Sequence, residues 1–122
     1  MWTVILLDEV DVWFVELAKQ DADTATQVAA AIDKLADDGP TLGRPLVDRI
    51  KGSKLHALKE LRPGSTGATE VRILFVFDPE RQAILLVAGD KSGHWRDWYT
   101  RNISIAEDRY TRWIAGDYDT EV

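Results

Sequence analysis

The run Ala83-Ile84-Leu85-Leu86-Val87-Ala88 is apolar at six successive positions, between the turn Asp78-Pro79-Glu80-Arg81 and Gly89. Side chains of a strand alternate between faces, so a strand with no polar position must be covered on both sides and sits centrally in its sheet. The preceding Val71-Arg72-Ile73-Leu74-Phe75-Val76-Phe77 is rich in β-branched and aromatic residues and reads as its hairpin partner. A third strand over 54–62, Lys54-Leu55-His56-Ala57-Leu58-Lys59-Glu60-Leu61-Arg62, ends at Pro63-Gly64. These three form an antiparallel meander whose two covered faces require helices from elsewhere in the chain.

Helices are legible on both sides of that block. After an N-terminal strand, Trp2 to Leu7, the acidic Asp8-Glu9-Val10-Asp11 suits a helix N-terminus, and Trp13, Phe14, Leu17 and Ala18 recur at helical spacing as far as Gln20. A second helix starts with Asp21 or Asp23 as N-cap, carries Ala25, Val28, Ala29, Ile32, Leu35 and Ala36 on one stripe, and stops at Gly39-Pro40. Residues 41–53, with Gly43, Pro45 and Gly52, show no sustained period and read as a loop. Ser104-Ile105-Ala106-Glu107 fits a capping box and opens a last helix lined by Ala106, Tyr110, Trp113 and Ile114, ending before Gly116. The expected order is strand, helical hairpin, three-stranded antiparallel meander and C-terminal helix: a single α+β domain over 1–116 with a loose tail over 117–122.

With 122 residues the chain has room for one core and one functional surface. Cysteine is absent and the two histidines have no paired spacing, which removes thiolate chemistry and makes neither a metal site nor a cofactor an expectation. No apolar run reaches the length of a membrane span and no signal-peptide pattern precedes the first strand, so no membrane partner and a cytoplasmic location are expected. The net charge of -6 is uneven: residues 1–43 carry two basic and nine acidic side chains, 44–72 carry seven and three, and 73–122 carry six and nine. A basic strip on an acidic body remains compatible with RNA.

Alternation places Arg62 and Arg72 on one sheet face, with Lys54, His56 and Glu60 in the same set, while Lys59 falls on the apolar set and must snorkel at an edge or follow a bulge. Just past the central strand, Gly89-Asp90-Lys91-Ser92-Gly93-His94-Trp95 brings a cation, an imidazole and an indole together, with Trp98 and Tyr99 close behind. Cleavage of RNA by its own 2′-hydroxyl needs a proton-transfer group, cations around the phosphate and aromatics for unstacked bases, all of which this set contains.

Leu58 to Arg62, Val71 to Phe77 and Ala88 to Gly93, followed by Trp95-Arg96-Asp97-Trp98-Tyr99 and Ile105 to Tyr110, resemble the RelE/ParE superfamily, particularly its phage-derived HigB-like branch. The resemblance spans nearly the whole chain and implies a RelE-like fold. It implies the toxin of a type II toxin-antitoxin pair, an mRNA endoribonuclease acting on the ribosome and neutralised by a cognate antitoxin of helix-turn-helix type. By position it implies Arg62, Arg72 and Lys91 at the phosphate, His94 or Tyr99 in proton transfer, and Glu60 orienting Arg62; the strand and loop residues read above add Lys54, His56, Lys59 and Trp95 as expected RNA contacts. The acidic balance departs from the basic character of many members. On the same fold a DNA gyrase inhibitor of ParE type, or a non-catalytic antitoxin-binding module, is the alternative.

Overall fold

The computed structural model describes residues 1–55 and 57–118. Its elements are β1 (Thr3–Leu6), α1 (Asp8–Gln20), α2 (Ala22–Asp38), a 3-10 turn (Gly39–Thr41), β2 (Val47–Arg49), β3 (Lys59–Leu61), β4 (Val71–Asp78), β5 (Gln82–Asp90) and α3 (Trp95–Ile114). The five strands form one mixed sheet in the order β1-β5-β4-β3-β2. β1 runs parallel to β5, and the other neighbours are antiparallel. Among the described residues, no helix is long and apolar enough to cross a membrane.

The apolar run of β5 is covered on both faces. Ala83 and Leu85 join Val71, Ile73 and Phe75 of β4 in a core closed by Val10 of α1 and Val28, Ala31 and Leu35 of α2. Ile84 and Leu86 join Leu74 and Val76 in a second core under Trp98 and Ala106 of α3. The helical hairpin therefore lies on one side of the sheet and α3 on the other.

A bulge in β5 interrupts the alternation. Phe75 pairs with Leu85 and Leu74 pairs with Val87, which leaves Leu86 as an extra residue. Leu86 and Val87 consequently both face α3, and the strand resumes with Ala88 on the hairpin side and Gly89 on the α3 side. Arg109 of α3 donates to the Leu86 carbonyl at 2.8 Å, so this irregular backbone group is satisfied.

The structure corrects several expectations. The loop expected over 41–53 contains β2, which pairs with β3 as Val47↔Leu61 and Arg49↔Lys59 and makes four consecutive antiparallel neighbours where three were expected. The strand expected from Lys54 begins only at Lys59. The preceding segment bends back toward α3, where Glu107 accepts from the Ser53 hydroxyl at 2.8 Å and from the Lys54 backbone N–H at 2.6 Å. The last helix starts at Trp95, so Ser104 is mid-helix and caps nothing; burial of Trp98 against the sheet extends the helix backward. The tail expected to be loose from Asp117 is anchored at Tyr118, which is buried, with its hydroxyl donating to Glu9 at 3.2 Å and the Arg112 guanidinium 4.7 Å from its ring centre. Residues 119–122 of that tail lie outside the described residues.

The helix boundaries have local causes. Asp21 caps α2, accepting from the Thr24 N–H at 3.1 Å and the Thr24 hydroxyl at 2.6 Å, and it also receives the Thr66 hydroxyl of the β3–β4 connection at 2.7 Å. At the other end, Gly39 ends α2 with φ 57 and ψ -139, a conformation nearly confined to glycine, and the Trp2 indole lies where a β-carbon would be. Gly39→Ala combines backbone strain with a steric clash and is expected to cost about 2–4 kcal/mol. Urea unfolding measures this, and a variant with the wild-type midpoint would refute the seating of Trp2 on Gly39.

Candidate functional site

Glu60 is 2% exposed on β3, directly opposite Leu74 of β4 and facing α3. A buried carboxylate is tolerated only with hydrogen-bonded, oppositely charged company. One oxygen, Oε1, accepts from Arg62 Nε at 2.7 Å and from the Tyr99 hydroxyl at 3.1 Å, and Arg72 Nε stands 3.6 Å away. The second neighbour of Arg62 is Asp48 of β2, whose Oδ2 accepts from its terminal nitrogen at 3.1 Å while Oδ1 faces Arg44 Nε at 3.2 Å. Arg62 is thus held at two edges of its guanidinium, between one buried and one half-buried carboxylate.

Arg72 is held less completely. It donates to its neighbour's carbonyl, Val71 O, at 2.8 Å, while its buried Nε makes no hydrogen bond. Lys91, just past β5, brings its ammonium to 5.5 Å from the centre of the Tyr99 ring. Three cations, Arg62, Arg72 and Lys91, therefore gather around two carboxylates and a phenol, which leaves an excess of positive charge on the α3 side of β3 and β4.

Tyr99 reaches this group because of Gly89. Gly89 is paired with Arg72 and turned toward α3, and a β-carbon built there would lie 2.9 Å from Trp98 Nε1. The absence of a side chain lets Trp98 rest on the strand, and the Tyr99 ring packs edge-on against Trp98 at 5.3 Å. Gly89→Ala should displace the start of α3 and lengthen the Tyr99–Glu60 hydrogen bond. The expected outcome is altered near-ultraviolet dichroism from Trp98 with retained helix content; an unchanged spectrum would count against this packing.

The charges shift one another. The hydrogen bond to Glu60 strengthens the hold of Arg62 on its proton. The Arg49 backbone N–H, followed by the Arg44 guanidinium, holds Asp48 below the usual carboxylate range. Burial, with the Glu60 hydrogen bond second, pushes the Tyr99 phenol up to about 12. Tyr99 is therefore a neutral donor at physiological pH. Since its proton is held more tightly in the folded chain than in the unfolded one, its contribution to stability is complete below about pH 10 and is lost as pH rises through about 12. Alkaline titration followed by ring resonances should show Tyr99 ionising near the upper end of that window, and ionisation at or below pH ~10 would contradict the Glu60 contact.

The other expected site residues are dispersed. His94 is exposed at the N-terminus of α3, where its carbonyl accepts from Trp98 N but its side chain caps nothing. Trp95 is 54% exposed beside it, with the Arg96 guanidinium 5.2 Å from its ring centre. Lys54 is exposed and lies outside the sheet, tied by its backbone to Glu107, so it does not share the face of Arg62 as alternation predicted. Lys59 lies on the opposite face, its ammonium 5.4 Å from the centre of the Phe77 ring, on β3, one strand in from the edge and without a bulge in that strand. His56 lies outside the described residues. Sequence reasoning missed Asp48, which sits in the stretch without periodicity; its spacing of four from Arg44 was the available signal. Among the described residues, no group of three or more His, Cys, Asp or Glu side chains is arranged to hold a metal ion.

Comparison with known proteins gives the chain a family. The model of the phage-derived protein Gp49-like family matches residues 15–111. The chain is 50% identical over 115 residues to the candidate toxin HigB3 of Mycobacterium tuberculosis, covering 94% of this chain and 96% of that protein. It is also 50% identical over 101 residues to the candidate toxin HigB2 of the same organism, covering 83% of this chain and 50% of that protein's length. No solved structure matches. The chain belongs to the phage-derived Gp49-like family and is a HigB-like member of it.

Proposed function

We propose that this chain is the toxin of a type II toxin-antitoxin pair and that it cleaves messenger RNA during translation, on the ribosome and in the cytoplasm. The observation that carries the reading is the convergence of Arg62, Arg72 and Tyr99 on one buried carboxylate, with Lys91 over the Tyr99 ring. The names of its relatives HigB3 and HigB2 support a toxin role. The partner expected from that role is a cognate antitoxin of helix-turn-helix type that silences the toxin.

The cleavage needs no group beyond the side chains present. A 2′-hydroxyl of the bound strand attacks the adjacent phosphorus, forming the 2′-O–P bond while the P–O5′ bond breaks. The 2′-hydroxyl proton passes to the His94 imidazole, and the departing 5′-oxygen takes its proton from solvent water. Arg62, Arg72 and Lys91 offset the charge that accumulates on the phosphoryl oxygens. Tyr99, protonated throughout, donates a hydrogen bond to one of those oxygens once substrate displaces it from Glu60. Glu60 fixes the arginines' direction and does not attack. His94 is the proton-transfer group, because a ring nitrogen of imidazole can take up a proton and the α3 N-terminus holds it beside the Lys91 turn. The exposed ring of Trp95 offers a platform for an unstacked base.

Inducible expression in a bacterial host, with growth and mapped mRNA ends compared for wild type and Arg72→Ala, tests the proposal. New ends inside translated messages are expected with the wild type, reduced by roughly 10²–10³-fold in a variant that melts like the wild type. Arrest without cleavage but with DNA damage would point to gyrase, and unimpaired growth to a non-catalytic module.

A further inference from the structure

On the face of the sheet opposite Glu60, at its free edge, Arg49 of β2 and Lys59 of β3 are direct cross-strand partners. Each lies two residues from a residue of the hairpin-side core on its own strand, Arg49 after Val47 and Lys59 before Leu61, so the two cations point to the same side. Like charges directly opposite each other destabilise a sheet. Neither forms an ion pair with a carboxylate among the described residues. Asp48, the neighbour of Arg49 on β2, is already engaged by Arg44, Arg62 and the Arg49 N–H.

The two cations line an open cleft of about 250 Å³ together with Arg44, Asp48 and the 40–43 turn. Lys59 is half-buried, with its ammonium held over Phe77, so its position is set by packing as well as by solvent. Asp48 links the cleft to the candidate site, since it lines the cleft and also accepts from Arg62.

We propose that this cleft is a second phosphate-binding site, in which Arg49 and Lys59 take the backbone of the same RNA strand outside its scissile bond, the strand passing around the β2 edge. An RNA phosphate between them replaces a repulsion with two attractions and needs no base recognition. The inference rests on the RNA-cleaving reading above and extends its substrate from one phosphate to a length of strand.

The test is fluorescence anisotropy with a labelled 2′-O-methyl dodecamer, which lacks the attacking hydroxyl and stays intact. Binding is followed across a salt series for wild type, Arg49→Gln/Lys59→Gln and Arg49→Lys/Lys59→Arg. Loss of two phosphate contacts to a single strand is expected to reduce the slope of log affinity against log salt by about 1.4, and the charge-retaining variant should restore it. A glutamine variant that melts no lower than the wild type confirms that the edge is intact. A double glutamine variant that keeps the wild-type slope overturns the cleft while leaving the RNA reading in place. Cleavage in cells by a wild type that does not bind the dodecamer does the same. A wild type that neither binds nor cleaves removes both. Displacement of the dodecamer by poly-glutamate as readily as by unlabelled RNA assigns the cleft to an acidic protein segment and overturns the RNA assignment.

Discussion

One residue's excess in β5 sets the side on which the following strand faces the rest of the molecule. Without the bulge at Leu86, Gly89 would continue the alternation of Ala83 and Leu85 and face the helical hairpin; with it, Gly89 faces α3. Trp98 can then lie against the strand, and Tyr99 comes within hydrogen-bond reach of Glu60. A bulge exposes a backbone carbonyl that the ladder no longer serves, and Arg109 supplies the missing donor. Arg109 also approaches Glu9 of α1 at 3.6 Å, so the helix that covers the bulge is tied to the hairpin on the far side of the sheet.

The charge arrangement follows from the burial of Glu60. In a low-dielectric setting a lone carboxylate is costly, and removing its cations is worse than never having had them. Glu60 therefore needs Arg62 as much as Arg62 needs Glu60, and the pair fixes the direction of the guanidinium before any ligand arrives. Asp48 completes the grip on Arg62 from the edge strand. Arg72 is held less completely than Arg62, its buried Nε making no hydrogen bond. Such preorganisation is what stabilises a developing charge without a reorganisation cost at the moment of reaction.

What could be seen in the sequence was whatever periodicity encodes. The two-sided burial of β5, the apolar set of Val71, Ile73, Phe75 and Phe77, and the hairpin stripe all repeat at fixed intervals, while the cap of α2 was legible only as Asp21 or Asp23, of which the structure uses Asp21. Placement of Arg62 and Arg72 on one face followed from the same alternation. What could not be seen lacks a period. β2 is three residues long and its assignment depends on pairing with β3. The Leu86 bulge leaves an unbroken apolar run in the sequence, and the start of α3 is set by tertiary burial of Trp98, whereas Ser104 merely carried the pattern of a cap. Lys54 misled because the expected strand was extended through a segment that turns toward Glu107.

Charges on edge strands also have a protective role, since an exposed edge invites pairing with another chain and a cation there discourages it. That role accounts for Arg49, which is exposed on the outermost strand, β2. It does not account for Lys59, which lies one strand in, on β3, is half-buried, and is already shielded from an approaching chain by β2. An apolar side chain at Lys59 would continue the core face of Leu61 and Phe75 and remove the repulsion with Arg49. The position thus forgoes apolar burial and accepts a like-charge neighbour, a combination that edge protection leaves unexplained and that an anionic strand in the cleft explains.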